Sequence, residues 1–570
     1  MMKNWWKIGC LLLFLTAEGY AQVEKQVEVT KAYVPSLERA DKLAVQPDMT
    51  DTMQLRPEID YTVTPLSLQT TLATRPMRPA EVTYWEFNRP NPFYVKVGAG
   101  FPWQSVADVY ASAQNPGTGY ALGYLHHTGR YADIENDFGE KHSALRMENR
   151  IGGAVGKYLG RHLLEGDLSY THRAYRRYGA HYPAEWTLPG TGVGYSDLAA
   201  QVRLGDDFQD LTRTNFEVAL DGALFYDHMD LAEGQTHGSQ REWGAKARVG
   251  RQWGERIFDA RLGFRQRVGG KGLDGCTQRL VEAALRYAHR VEQCSFEVGV
   301  DYVYDRIRQE KSSAEHYFFP YLHLEFDLIS DAVKPFIEVD GSMQSNDFRS
   351  LSALNPYLAG ATWLHRSTPE WEGRGGLTGH STNNRFTYRA FLAFAYRDNN
   401  LYWLVPLLDK TAPAAYVAGW LRPHMEQQQR FTLGGEVNYR PTRNWLLDAS
   451  ARCYAYDNQH YLESGDPEWE VSAGVRYEGR KVRIGLRANC MGERYWSMIA
   501  PDEPQIAEHT LLDRYKAPAA LDLQFDFEWR VSGSTAIFVE GRNLLNRTLY
   551  ELPTMPEYRI SVLAGVRLTF

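Results

Sequence analysis

The closing stretch of the chain, Tyr558-Arg-Ile-Ser-Val-Leu-Ala-Gly-Val-Arg-Leu-Thr-Phe570, constrains the fold more than any other feature. Taken alternately, Tyr558, Ile560, Val562, Ala564, Val566, Leu568 and Phe570 are all apolar. The residues between them, Arg559, Ser561, Leu563, Gly565, Arg567 and Thr569, are mostly polar or small. Only a β-strand, whose side chains alternate between two faces, sorts the residues in this way. A sharper case precedes it. Leu521, Leu523, Phe525, Phe527, Trp529 and Val531 take one face, and Asp522, Gln524, Asp526, Glu528 and Arg530 take the other. Aromatics outside and charges inside is the alternation of a transmembrane β-barrel with a wet lumen. A closed barrel is one of only two ways a backbone crosses lipid with its hydrogen bonds satisfied.

Bulk composition is consistent with this reading. Hydrophobic residues make up 44% and the formal net charge is -7, values that a soluble protein could share. Barrel strands give a weak hydropathy signal, because half of each strand faces water. No run of about 18 apolar residues follows the N-terminus, which excludes transmembrane helices. The 35 tyrosines and 15 tryptophans suit interfacial girdles. Mild acidity argues against a nucleic-acid partner, which calls for a basic face.

Residues 1–21 read as an export signal. Lys3 and Lys7 supply the positive start, Ile8 to Ala17 the apolar stretch, and Gly19-Tyr20-Ala21 the small-x-small cleavage site. Residues 22–91 are different material, punctuated by Pro35, Pro47, Pro57, Pro65, Pro76, Pro79 and Pro90. Proline removes a ladder donor, so this segment is expected to be an extended periplasmic or lumenal arm rather than a series of central strands. The barrel is expected over residues 92–570. Cys276 and Cys294 fall at opposite ends of one hairpin, and a strand separates Cys453 from Cys490. No disulfide and no metal site is expected from these spacings.

Alternating segments recur from Phe93 onward, among them Phe216–Tyr226, Phe296–Tyr304, Phe386–Tyr396 and Trp469–Tyr477. Tight links such as Glu478-Gly-Arg-Lys481 and Val531-Ser-Gly-Ser534 interleave with long ones near 129–141, 179–193, 346–367, 397–429, 495–518 and 546–557. Short periplasmic turns and long outer loops are the topology of outer-membrane barrels. Both ends in the periplasm require an even strand number. The fold expected is therefore all-β, a transmembrane antiparallel β-barrel of about 22 strands within a range of about 16 to 24. A hairpin in Leu401–Trp420 would take the number to the upper end.

The final hairpin carries Asn543, Leu544, Leu545, Asn546, Arg547 and Tyr550, then Gly565 and the terminal Phe570. This pattern resembles the C-terminus of TonB-dependent receptor barrels, in a Bacteroidota-type form. The resemblance covers the barrel and departs from the family in the arm, which is too short for a full plug domain. It implies that Phe570 is the signal read by the barrel-assembly machinery. It also implies that Val27, Glu28, Val29 and Thr30 form a TonB-box-like run that pairs with TonB by strand addition.

Three features imitate a site. His126-His127 with His142 has the ligand type of a metal site but no supporting second layer, and reads as loop histidines. Pro189-Gly-Thr-Gly-Val-Gly194 lacks the Lys of a phosphate loop and reads as an outer loop. Inward Asp522/Asp526 and Asp301/Asp305 stand i, i+4 on strands, about 13 Å apart, too far for a catalytic pair. No catalytic residue, metal or cofactor is therefore assigned. The expected partners are outer-membrane lipid, the barrel-assembly machinery and TonB, with no nucleic acid. The expected function is uptake of a solute across the outer membrane. The alternatives are a plugless scaffold or anchor for a surface or secretion complex, and a passive diffusion channel. A lumen of this width must be plugged or leak.

Overall fold

The computed structural model describes residues 91–570 apart from 116, 138, 180–190, 231–235, 292, 310–311, 330–331, 359, 407–420 and 500–510. Residues 1–90, with the expected export signal, the expected arm and Val27–Thr30, lie outside the described residues.

Twenty-two strands form one closed antiparallel ring, each paired with its neighbours in chain order. The first strand, Phe93–Phe101, meets the last, Ser561–Thr569, in a register running from Tyr94↔Thr569 to Phe101↔Val562. Phe570 completes the closure. Its N–H donates to the Phe93 carbonyl at 3.0 Å, its carbonyl accepts from Phe93 at 2.9 Å, and the two rings stack at 5.4 Å. Gly98 and Gly565 pair directly at this closure, and the Phe538 ring fills the space a Cβ on either would need.

The alternation places the side chains as read. In the strand Ala520–Arg530, Asp526 and Glu528 face inward and Trp529 stays exposed on the outer wall. Outward partners across neighbouring strands are apolar, as in Leu262↔Ala283 and Leu285↔Val300. The links at 160–161, 254–255, 479–481 and 531–534 are tight, whereas the links at the other end run long. That end is the outer one if both termini are periplasmic.

Two details differ from the reading. Tyr558 and Ile560 precede the last strand and belong to its loop, because Asn543 Nδ2 donates to the Tyr558 carbonyl at 3.2 Å and doubles the chain back. Leu401–Leu404 do not begin a further membrane hairpin. They continue the ascending strand Phe386–Pro406 against Arg422–Met425, which pairs with it. That strand has 21 residues, whereas a tilted crossing takes about 9–11, so its upper part stands clear of the bilayer.

One seam is loosely zipped. The strands Ser312–Phe326 and Lys334–Gln344 pair only from Leu322↔Val339 to Glu325↔Phe336. Pro320, just above, has no N–H to give the ladder. The seam is held there by side chains: the Phe319 ring lies against Gly341, and the Trp371 indole N–H donates to the Phe318 carbonyl at 2.9 Å.

Candidate functional site

The outer loops build a second core above the lumen. The loop after Gln344 carries the short helix Phe348–Leu354, capped by Asp347, whose side chain accepts from the Ser350 N–H at 3.3 Å. Asp347 also accepts from Gln240 Nε2 at 2.6 Å, on a strand well removed around the ring. Phe348 and Leu351 are fully buried against inward-facing Tyr195 and Phe225. Phe225 meets Phe348 edge-on at 5.3 Å and stacks on Tyr195 at 5.5 Å. The Tyr195 hydroxyl then donates to the Pro356 carbonyl at 2.8 Å, and Arg177 donates to the Leu358 carbonyl at 2.8 Å. This loop therefore crosses the barrel mouth and docks on the far wall. Tyr178, Trp363, Met555 and Tyr558 extend the same apolar cluster.

Within this loop layer lies a cavity of about 210 Å³ lined by Arg146, Leu354, Pro356, Tyr357, Trp403, Ser464, Gly465, Arg494, Trp496, Glu551 and Leu552. The lining comes from strand tops and loops scattered through the sequence, so it exists only when the ring is closed. Arg146 donates to Glu551 at 2.7 Å, and Arg130 donates to Glu557 at 2.9 Å. Glu551 is desolvated by burial, yet the Arg146 guanidinium holds its carboxyl below the usual range. Burial and the adjacent Glu551 charge push Glu557 up, against the pull of Arg130. Arg494 lies over the Trp496 ring at 5.2 Å and donates to the Tyr550 carbonyl. Burial lowers its proton affinity, and its Nε is buried without a hydrogen-bond partner. Tyr515 and Tyr550 both donate to Asp137, at 2.6 and 2.5 Å, which ties three loops together.

Below the dome the lumen wall is a lattice of paired charges. Arg286 is bidentate to Asp301 at 2.5 and 2.6 Å. Arg430 bridges Glu370 at 3.2 Å and Glu372 at 3.0 Å. Arg452 bridges Glu436 at 2.7 Å and Glu470 at 3.2 Å. Arg265 and Arg267 share the buried Glu242. Such a surface holds water and presents polar groups of both signs.

The structure separates the three histidines. His126 faces the lumen on Asp108, His127 faces outward between Ser105 at 2.7 Å and Asn149 at 2.6 Å, and His142 sits in a loop hairpin. Asp522 caps the Asn543 N–H at 2.9 Å, and Asp305 accepts from Gln278 and Ser367. Gly192 and Gly194 open a strand instead of lying in a loop. Among the described residues no group of three or more His, Cys, Asp or Glu could hold a metal ion. Sequence reasoning missed the dome; its only trace was the aromatic content of the long links, such as Tyr357, Trp363 and Trp496.

No protein-family model and no curated protein matches the chain. Solved structures do. The FrpB iron transporter from Neisseria meningitidis (F3-3 variant) aligns at TM-score 0.66 and 10% identity, over 85% of this chain and 82% of that one. The copper transporter OprC aligns at TM-score 0.61 and 12% identity, over 85% and 82%. The pyoverdine outer membrane receptor FpvA from Pseudomonas aeruginosa PAO1 aligns at TM-score 0.60 and 11% identity, over 85% and 79%. At such identity the likeness is one of fold: the chain has the barrel fold of TonB-dependent receptors. These neighbours are transporters and receptors rather than enzymes.

Proposed function

We propose that this protein is an outer-membrane uptake barrel. A solute is captured in the cavity of the loop dome and passed down a charged lumen, with TonB engaged through Val27–Thr30. The observation that carries the reading is the dome itself. A passive channel needs an open mouth, and a pure anchor has no use for a loop that spans the mouth and lines a cavity bearing Arg146, Arg494 and Glu551. The fold shared with iron, copper and pyoverdine transporters and receptors supports the same reading. The terminal Phe570 is the assembly signal on this reading, and residues 1–21 direct export.

Single-channel recording in planar bilayers tests it. Full-length protein should be silent, and removal of residues 346–366 should raise conductance. Steady large openings of the full-length protein would instead establish a diffusion pore. TonB capture separates uptake from anchoring. Val29→Pro should abolish capture, because it removes a strand donor in the run that pairs. Absence of any TonB capture by the intact chain would move the scaffold reading ahead.

A further inference from the structure

The outer wall carries a basic row that the lumen lattice does not explain. Arg241 lies on Ser239–Trp253, Arg279 on Thr277–Val291, and Arg306 and Arg308 on Cys294–Arg308. Register fixes the face on which they sit. Arg241 pairs Leu224 and Val268, and Arg279 pairs Gln266 and Arg306. These positions alternate with the buried inward Gln240, Glu242, Leu280 and Asp305. They continue the outward series Trp243, Val281 and Tyr304. All four arginines are exposed.

Height follows from the same alternation. Each arginine stands at the loop end of its strand. Arg241 is the next outward residue above Trp243, Arg279 above Val281, and Arg306 above Tyr304. The row therefore lies where the apolar band and its aromatic girdle end and the outer-leaflet headgroups begin. Neutral residues surround it: Gln266, Val268, Ala314 and Ser312 are its cross-strand neighbours. Arg279 and Arg306 are directly opposite, with Cβ atoms about 5 Å apart, and like charges so placed repel. No carboxylate within ion-pair distance of any of the four is found among the described residues. Across the ring the register row Trp371↔Tyr396↔Gln429↔Asp457 holds no cation at the comparable outward positions.

We infer that this row is a binding surface for the phosphate groups of net-anionic outer-leaflet lipids. A phosphate between Arg279 and Arg306 turns their repulsion into charge-assisted hydrogen bonds, and guanidinium geometry suits phosphate. The acyl chains of the same lipid cover Val281, Leu285, Val298 and Val300 below. A free anion gains only the first half of this, and in a zwitterionic lipid the tethered headgroup cation offsets the phosphate charge and competes with the arginines, so a lipid with a net-anionic phosphate monoester is the matching occupant.

The test is native mass spectrometry of the full-length protein in a neutral detergent, titrated with dimyristoyl phosphatidic acid or dimyristoyl phosphatidylcholine. Phosphatidic acid should be retained about tenfold more strongly, and R279Q/R306Q should lose about that factor while R279K/R306K keeps most of it. R251Q/R256Q, at the opposite end of the wall, should change nothing. Heat-shifted gel mobility reports whether each variant has folded; if R279Q/R306Q does not fold, R241Q and R308Q decide singly. Equal retention of the two lipids overturns the inference, as does undiminished retention by the folded R279Q/R306Q or equal loss in R251Q/R256Q. Displacement of the lipid by equimolar inorganic phosphate would reduce the row to a site for a free anion and also overturn it.

Discussion

The two faces of one wall mostly treat arginine in opposite ways, although the inward Arg150 lies over the Tyr124 ring rather than on a carboxylate. Inside, Arg265, Arg267, Arg286, Arg389, Arg430, Arg452 and Arg567 are each matched to a carboxylate on the same or a nearby strand. Outside, Arg279 faces Arg306 with no carboxylate beside either among the described residues. The lumen must neutralise itself, because its charges are partly removed from water and an unpaired one is costly. The outer rim need not, because lipid headgroups and water are available to it. Pairing thus marks where the chain supplies its own counter-ions, and its absence marks where the surroundings supply them.

The largest effect should come from breaking a lumen pair on one side only. Glu242→Gln takes a carboxylate from Arg265, the buried Arg267 and Arg349, leaving the first two on the more distant Asp221 and Asp347 carboxylates at 3.3 and 3.5 Å. It should cost about 3–5 kcal/mol in reversible unfolding from lipid vesicles. A loss below about 1 kcal/mol would mean that the pairs are dispensable decoration.

Next comes a charge on the other face. Leu285, mid-wall and outward, should cost about 2–4 kcal/mol as Leu285→Arg, whereas Gln524→Arg, inward beside Asp522 and Asp526, should be nearly neutral in the same assay. Equal costs would break the assignment of faces.

The dome sets a smaller, pH-dependent effect. Glu551 is held low in the folded state by Arg146, so its contribution is present above the ordinary carboxylate pKa of about 4.3 and is lost as pH falls below it. Glu557 is held high by burial, so it takes up its proton first, and losing its charge beside Glu551 favours the folded loop. Protection of residues 543–560 from proteolysis should therefore hold or rise slightly from pH 7 to 5 and fall below about pH 4. Glu551→Gln should remove the low-pH step. A step centred near pH 7 would point to other groups.

Smallest of all should be Arg306→Gln, within about 0.5 kcal/mol of wild type in stability, as expected of an exposed unpaired charge. A large loss would show that Arg306 has a partner within the protein and that the contrast between the faces is false.

Much of this molecule was legible in the chain. Leu521 to Val531 announced two faces, the turn chemistry at Glu478–Lys481 and Val531–Ser534 announced the tight end, and the strand number followed from counting hairpins. Tyr558 was misassigned, because an apolar residue in phase with a strand cannot be told from one that has left it. Asn543, which turns that loop back, acts through a hydrogen bond that no periodicity encodes. The histidines looked alike in sequence, yet His126 and His127 point to opposite faces because adjacent residues of a strand always do.

Sequence alone determined the alternation, hence the barrel, its wet inside and its greasy outside, since backbone hydrogen bonding in lipid leaves a chain with this pattern no other closed form. Tertiary structure alone decided which charges meet, which loops close the mouth and which arginines are left facing each other. Those depend on strand register and on ring closure, which bring Arg130 to Glu557 and Asp137 to Tyr515 and Tyr550 across most of the chain's length. No local pattern carries that information, because each such pair is set by the sum of every hairpin between its members.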